Sequence, residues 1–79
     1  MQKYVVCNHA DAILFGKQCR ALEKNIPNLN VGKSYEDVDG TKVQEYSHPN
    51  GNVVVRNDML VDVLLVTADF DLLPYFKDA

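Results

Sequence analysis

Between Thr41 and Ala68 apolar residues first alternate with polar ones and then crowd together, in TKVQEYSHPNGNVVVRNDMLVDVLLVTA. His48-Pro49-Asn50-Gly51 interrupts the pattern. Proline presets φ at the second position of a turn, asparagine suits the third, and glycine takes the left-handed place that follows, so a hairpin is predicted here. Setting His48 opposite Asn52 places Tyr46 against Val54, Gln44 against Arg56 and Lys42 against Asp58. That register turns Val43, Val53 and Val55 inward and leaves Tyr46 and Val54 on the other face. Asn57-Asp58 offers a further turn into a strand over Met59 to Ala68, where β-branched valines favour extended backbone. One side of it carries Met59, Val61, Val63 and Leu65, the other Leu60, Asp62, Leu64 and Val66, so both are largely apolar, as in a central strand. Asp62 qualifies this: a carboxylate buried without a partner is costly, so its side should be reached by water. Leu60, Leu64 and Val66 would then form an exposed apolar patch.

The first half reads differently. QKYVVC, residues 2–7, is β-branched and aromatic and predicts a strand that ends at Asn8. Ala12, Phe15, Cys19, Leu22 and Ile26 recur at spacings of three and four, one face of a helix that begins near Asn8 or Asp11 and stops before Pro27. The alternative makes residues 12–15 a second strand, broken at Gly16, with a shorter helix over 17–25. Residues 26–33 read as a connector and 34–38 as a short strand, and Asp39-Gly40 suits a two-residue hairpin turn into Thr41 to Ser47. Pro74 limits the C-terminal segment from Asp69 to a short turn or helix. The expected fold is α+β: a small antiparallel sheet of about four strands (β-α-β-β-β), one helix packed on one face, and a short C-terminal helix or turn.

Composition bounds the rest. A chain of 79 residues, 47% hydrophobic and 24% charged, is expected to form a single domain with one core. The longest unbroken apolar run, Val63 to Val66, is far short of a membrane span, and the start lacks the layout of a signal peptide, which gives a cytoplasmic expectation. Cys7 and Cys19 are too few for a disulfide scaffold and read as small buried hydrophobes. Charge is uneven. Residues 1–33 balance at +3, with Lys3, Lys17, Arg20, Lys24 and Lys33 against Asp11 and Glu23, while residues 34–79 balance at −6. This acidity disfavours general nucleic-acid binding, yet such polarity can orient a protein partner.

Chemical motifs are weak. Gly32-Lys33-Ser34 lacks the earlier glycine of a phosphate loop, with Pro27 in its place. Asp37-Val38-Asp39-Gly40 lacks the remaining ligands of a calcium loop. Cys7, His9, Cys19 and His48 fit no common zinc spacing. Cys19 lies on the apolar stripe, where a thiol is a poor nucleophile for pairing with His48. No cofactor, metal or catalytic residue is therefore expected. Lys17, Arg20 and Lys24 share one helix face and are the residues with which the chain would touch nucleic acid; alternatively, the acidic half would mimic it. Phe70, Leu73, Tyr75 and Phe76 lie with Leu72 among Asp69, Asp71 and Asp78, a pattern of segments that dock on partners or close a core. The leading expectation is a non-enzymatic protein-binding module, an inhibitor or adaptor of a size common in phage and mobile elements. It would act through Leu60, Asp62, Leu64 and Val66 together with Phe70, Leu73, Tyr75 and Phe76, on another protein or on a second copy as a homodimer.

Overall fold

The computed structural model describes residues 1–76. The elements are β1 (Gln2–Cys7), α1 (Ala12–Asn25), β2 (Asn30–Glu36), β3 (Lys42–His48), β4 (Gly51–Asp58) and β5 (Val63–Ala68), followed by a 3-10 turn at Leu73–Tyr75. All neighbouring strands are antiparallel in the order β1-β5-β4-β3-β2, so α1 connects the two edges of one sheet. The fold is small α+β as expected, with five strands rather than about four.

The long helix forms, and the strand–break–helix alternative does not. Asp11 supplies the N-cap, its Oδ1 accepting from the Ile13 and Leu14 amides at 2.9 and 3.0 Å. At the other end the Ile26 amide donates to Leu22 at 3.0 Å before Pro27 stops the ladder. Leu22 and Ile26 are buried against Tyr46, Val53, Val55, Leu64, Val66, Ala68 and Leu72, with Phe15 and Cys19 packed beside them. Each fully buried aliphatic side chain contributes roughly 1.5–3 kcal/mol.

Two registers differ from expectation. His48 pairs with Gly51, not Asn52, because the loop holds only Pro49 and Asn50. A one-residue slip exchanges the faces of the whole strand relative to its partner. Tyr46 therefore lies opposite Val53 in the core, while Val43, expected beside Val53 and Val55, is buried as expected but pairs with Arg56 and stands outside the cluster under the helix. The second difference lies between β4 and β5. Met59–Asp62 is a turn rather than the start of a strand, and Asp62 closes it with φ of 56°. Leu64 and Val66, expected on a water-reached face, are wholly buried under α1, while Val63, Leu65 and Thr67 take the solvent side.

β2 extends from Asn30, inside the segment expected to be a connector, and every one of its residues is exposed. Both edge strands carry a register shift, β1 between Val5 and Cys7 and β2 between Val31 and Ser34. A bulge on an edge discourages pairing with another sheet. At Gly51 a side chain would place Cβ 2.5 Å from that of Asp69, and φ is 141°, so only glycine fits.

Candidate functional site

The residues expected to form one surface are divided between three places. Leu64 and Val66 belong to the core, as above. Phe70, Tyr75 and Phe76 pack against that core: Phe70 stacks on His48 with ring centroids 4.6 Å apart, and Phe76 meets Tyr4 edge-on at 5.0 Å. The Tyr4 hydroxyl donates to Asp71 at 3.1 Å and accepts from the Leu72 amide at 2.8 Å, holding Leu72 fully buried. Of the tail's large apolar side chains among the described residues, only Leu73 stands out, 63% exposed; Asp78 lies outside the described residues. Leu60 and Asp62 sit at the opposite end of the sheet, where β2 turns into β3 and β4 into β5.

That loop end gathers side chains that the sequence pattern dispersed. Asp37-Val38-Asp39-Gly40 is a turn closed by the Gly40 amide on the Asp37 carbonyl at 3.0 Å, which puts Val38 at its tip instead of in a strand. The Met59 amide donates to Thr41 Oγ1 at 2.9 Å and ties this turn to Met59–Asp62. Asp62 Oδ1 accepts from the Ala10 amide at 2.8 Å, and Asn57 Oδ1 from the Asp11 amide at 2.8 Å, so the start of α1 joins the same group. Five large apolar side chains are exposed on it: Ile13, Val38, Met59, Leu60 and Val61.

Aspartates hold these loops in shape. Asp39 Oδ1 accepts from the Thr41 amide at 2.9 Å, and Asp58 Oδ1 from Leu60 and Val61 at 2.9 and 3.1 Å. Asp58 also pairs with Arg56 at 3.0 Å. The Val61 amide and then the Arg56 guanidinium hold the Asp58 carboxyl below the usual carboxylate range. Asp62 thus caps a neighbouring loop; it is not a carboxylate stranded in a strand.

The groups weighed for chemistry lie apart. His48 Nε2 contacts the Pro27 carbonyl at 3.1 Å and its Nδ1 accepts from the Asn50 amide at 3.0 Å, which assigns the ring to the far turn. Burial raises the Cys19 thiol above its ordinary value, so it is a weak nucleophile where it stands. Cys7 and Cys19 are half-buried free thiols rather than fully buried. Among the described residues no three His, Cys, Asp or Glu side chains form a group able to hold a metal ion. Sequence reasoning missed one polar contact of the core. Tyr46 is buried and its hydroxyl donates to Glu23 Oε2 at 2.7 Å; burial, then the carboxylate, raises its pKa far above that of a free phenol. Lys17, Arg20 and Lys24 are all exposed on α1. Two grooves of about 360 Å³ flank β3, one reaching Phe15 and Lys42, the other Lys33 and Val54. Among the described residues no helix is long and apolar enough to cross a membrane.

No protein-family model, curated protein or solved structure matches the chain.

Proposed function

We propose that this chain is a non-enzymatic protein-binding module of the inhibitor or adaptor kind, acting in the cytoplasm through the loop end of its sheet. The observation that carries the reading is the set of exposed apolar side chains, Ile13, Val38, Met59, Leu60 and Val61, on loops fixed by side-chain caps. Single exposed apolar residues are ordinary, whereas several gathered at one end of a sheet on preformed backbone suit a binding surface. Rigid presentation also lowers the entropy lost on association. The solvent-side face of the sheet is a weaker candidate: Val5 and Tyr35 are exposed near its two edges, but Val54, Val63 and Leu65 between them are half-buried and Val43 is wholly buried.

The test is affinity capture from the native cell with the unaltered chain and with a Leu60→Ser/Val61→Ser double variant. One protein retained by the first and lost by the second, with the variant's circular dichroism unchanged, is the expected result. Equal retention by both, or retention of nothing by the unaltered chain, removes the reading.

A second reading, nucleic-acid contact through Lys17, Arg20 and Lys24, is favoured by the exposure of all three on one helix. Binding to duplex DNA at low salt that disappears in a Lys17→Glu/Arg20→Glu/Lys24→Glu variant supports it, and no binding at low salt eliminates it.

A further inference from the structure

The loop end combines two properties that together define what could cover it. Its tips are apolar, with Val38 fully exposed, Leu60 82% exposed and Val61 64% exposed. Around them stand exposed Asp37, Asp39 and Asp62 and half-buried Asp11, against Lys42, while Asp58 and Arg56 engage each other. A second copy docked through this end would bring like carboxylates together, an arrangement that opposes association. Cytoplasmic membrane surfaces are anionic and repel the same group. Neither objection applies to a protein whose binding cleft is apolar within and cationic at its margin.

We propose that Val38 and Leu60-Val61 form a preshaped two-loop wedge that inserts into such a cleft, with Asp37, Asp39 and Asp62 meeting lysine or arginine side chains at its rim. The inference rests on the protein-binding reading above and specifies its partner. The Met59 amide on Thr41 Oγ1 fixes the spacing of the two loops, and Gly40 packs close beneath the Met59 side chain, so the wedge needs no folding step on contact. The aspartates act at longer range: they steer the encounter and fix orientation, while the apolar tips supply the buried contact.

The experiment places a benzophenone amino acid at position 38, 61 or 73 of the full chain in the native cell, followed by mass spectrometry of the cross-linked peptide. Positions 38 and 61 are expected to trap one protein, through a segment of apolar residues with lysine or arginine nearby, while position 73 traps nothing. That protein, purified, then serves as the binding probe. The Leu60→Ser/Val61→Ser variant is expected to weaken its binding at least about 30-fold. A triple Asp37→Asn/Asp39→Asn/Asp62→Asn variant keeps the Oδ1 acceptors of Asp39 and Asp62 and removes the charge. It is expected to weaken binding about tenfold at low salt and to flatten the salt dependence, whereas Asp71→Asn at the other end leaves both unchanged.

Binding lost in the Leu60→Ser/Val61→Ser variant but indifferent to the triple variant and to salt overturns the cationic rim and leaves the protein-binding reading standing. A cross-link from position 61 to a second copy of the chain overturns the proposed partner, as does binding to phosphatidylcholine vesicles with or without phosphatidylserine that the serine variant abolishes. Cross-links from position 73 alone move the contact to the tail, and none from any position removes both the wedge and the reading beneath it.

Discussion

Phe70 on His48, Phe76 on Tyr4 and Leu72 in the core close one end of the sheet, whereas at the other end Val38, Leu60 and Val61 stand in solvent. The residue types are alike; the path of the backbone differs. At the first end the chain leaves β5 and folds back so that Asp71 and the Leu72 amide reach the Tyr4 hydroxyl, and the tail's apolar side chains fall into place beside it. At the second, Asp39, Asp58 and Asp62 bind the amides of their own or neighbouring loops. A loop whose amides are already satisfied in an outward shape has little to gain by collapsing onto the core.

The largest expected effect tests whether the tail is core. Leu72→Ala should destabilise by about 2–5 kcal/mol, a large share of the roughly 5 kcal/mol that holds a small domain together. Its exposed neighbour sets the contrast: Leu73→Ala should stay within about 0.5 kcal/mol. Urea denaturation measures both. Similar small losses at the two positions would make the tail an appendage and erase the difference between the ends.

Next in size is Gly51→Ala, which confronts both the Asp69 Cβ and a positive φ. A loss of about 1–3 kcal/mol is expected. Gly16→Ala, in α1 with only the end of Arg20 at 3.3 Å, should instead stabilise by about 0.4–1 kcal/mol. A neutral Gly51→Ala would show that the turn relaxes, and that the tail's anchorage through Asp69 and Asn52 does not depend on it.

Tyr46→Phe should remove about 1–2 kcal/mol at neutral pH through the lost bond to Glu23. Its pH dependence has a definite sign. The folded-state pKa lies above the unfolded one, so the folded chain holds the proton more tightly and the phenol's contribution is fully present below about pH 10. As pH rises past that point the advantage of the natural chain over the variant should shrink. A constant difference in denaturation midpoint from pH 8 to about pH 11 would mean that burial of Tyr46 does not govern its ionisation.

How far these features can be read from sequence follows the strength of the local pattern. The stripe of Ala12, Phe15, Cys19, Leu22 and Ile26 between Asp11 and Pro27 specifies α1, because a 3.6-residue period with a cap and a stop has few other solutions. β2 is legible only at its end, where residues 34–36 belong to the expected short strand; its first half is exposed and reads as connector. The hairpin at Pro49-Asn50 is legible but its register is not, since a loop of two or three residues fits His-Pro-Asn-Gly and the choice decides whether Tyr46 or Val43 meets the core. Counting alternation through Met59–Asp62 exchanges the two faces of β5. Asp62 itself was the available clue, because an acid within an apolar run can mark a turn as well as a wet face. The loop end is harder still, for the segments that carry Ile13, Val38 and Leu60 reach the same end of the sheet only through contacts between residues distant in sequence.

The smallest expected effect on the fold bears most directly on the difference between the ends. Leu60→Ser with Val61→Ser should change stability by no more than about 0.5 kcal/mol, because neither side chain is buried and the Asp58 caps bind backbone amides, which serine retains. Thermal and urea denaturation should be unchanged, with the same circular dichroism. A loss of about 2 kcal/mol or more would mean that Leu60 and Val61 support the fold, as Leu72 does, and both ends of the sheet would then serve the core. An unchanged fold leaves these side chains without a structural role and free for the contact proposed above.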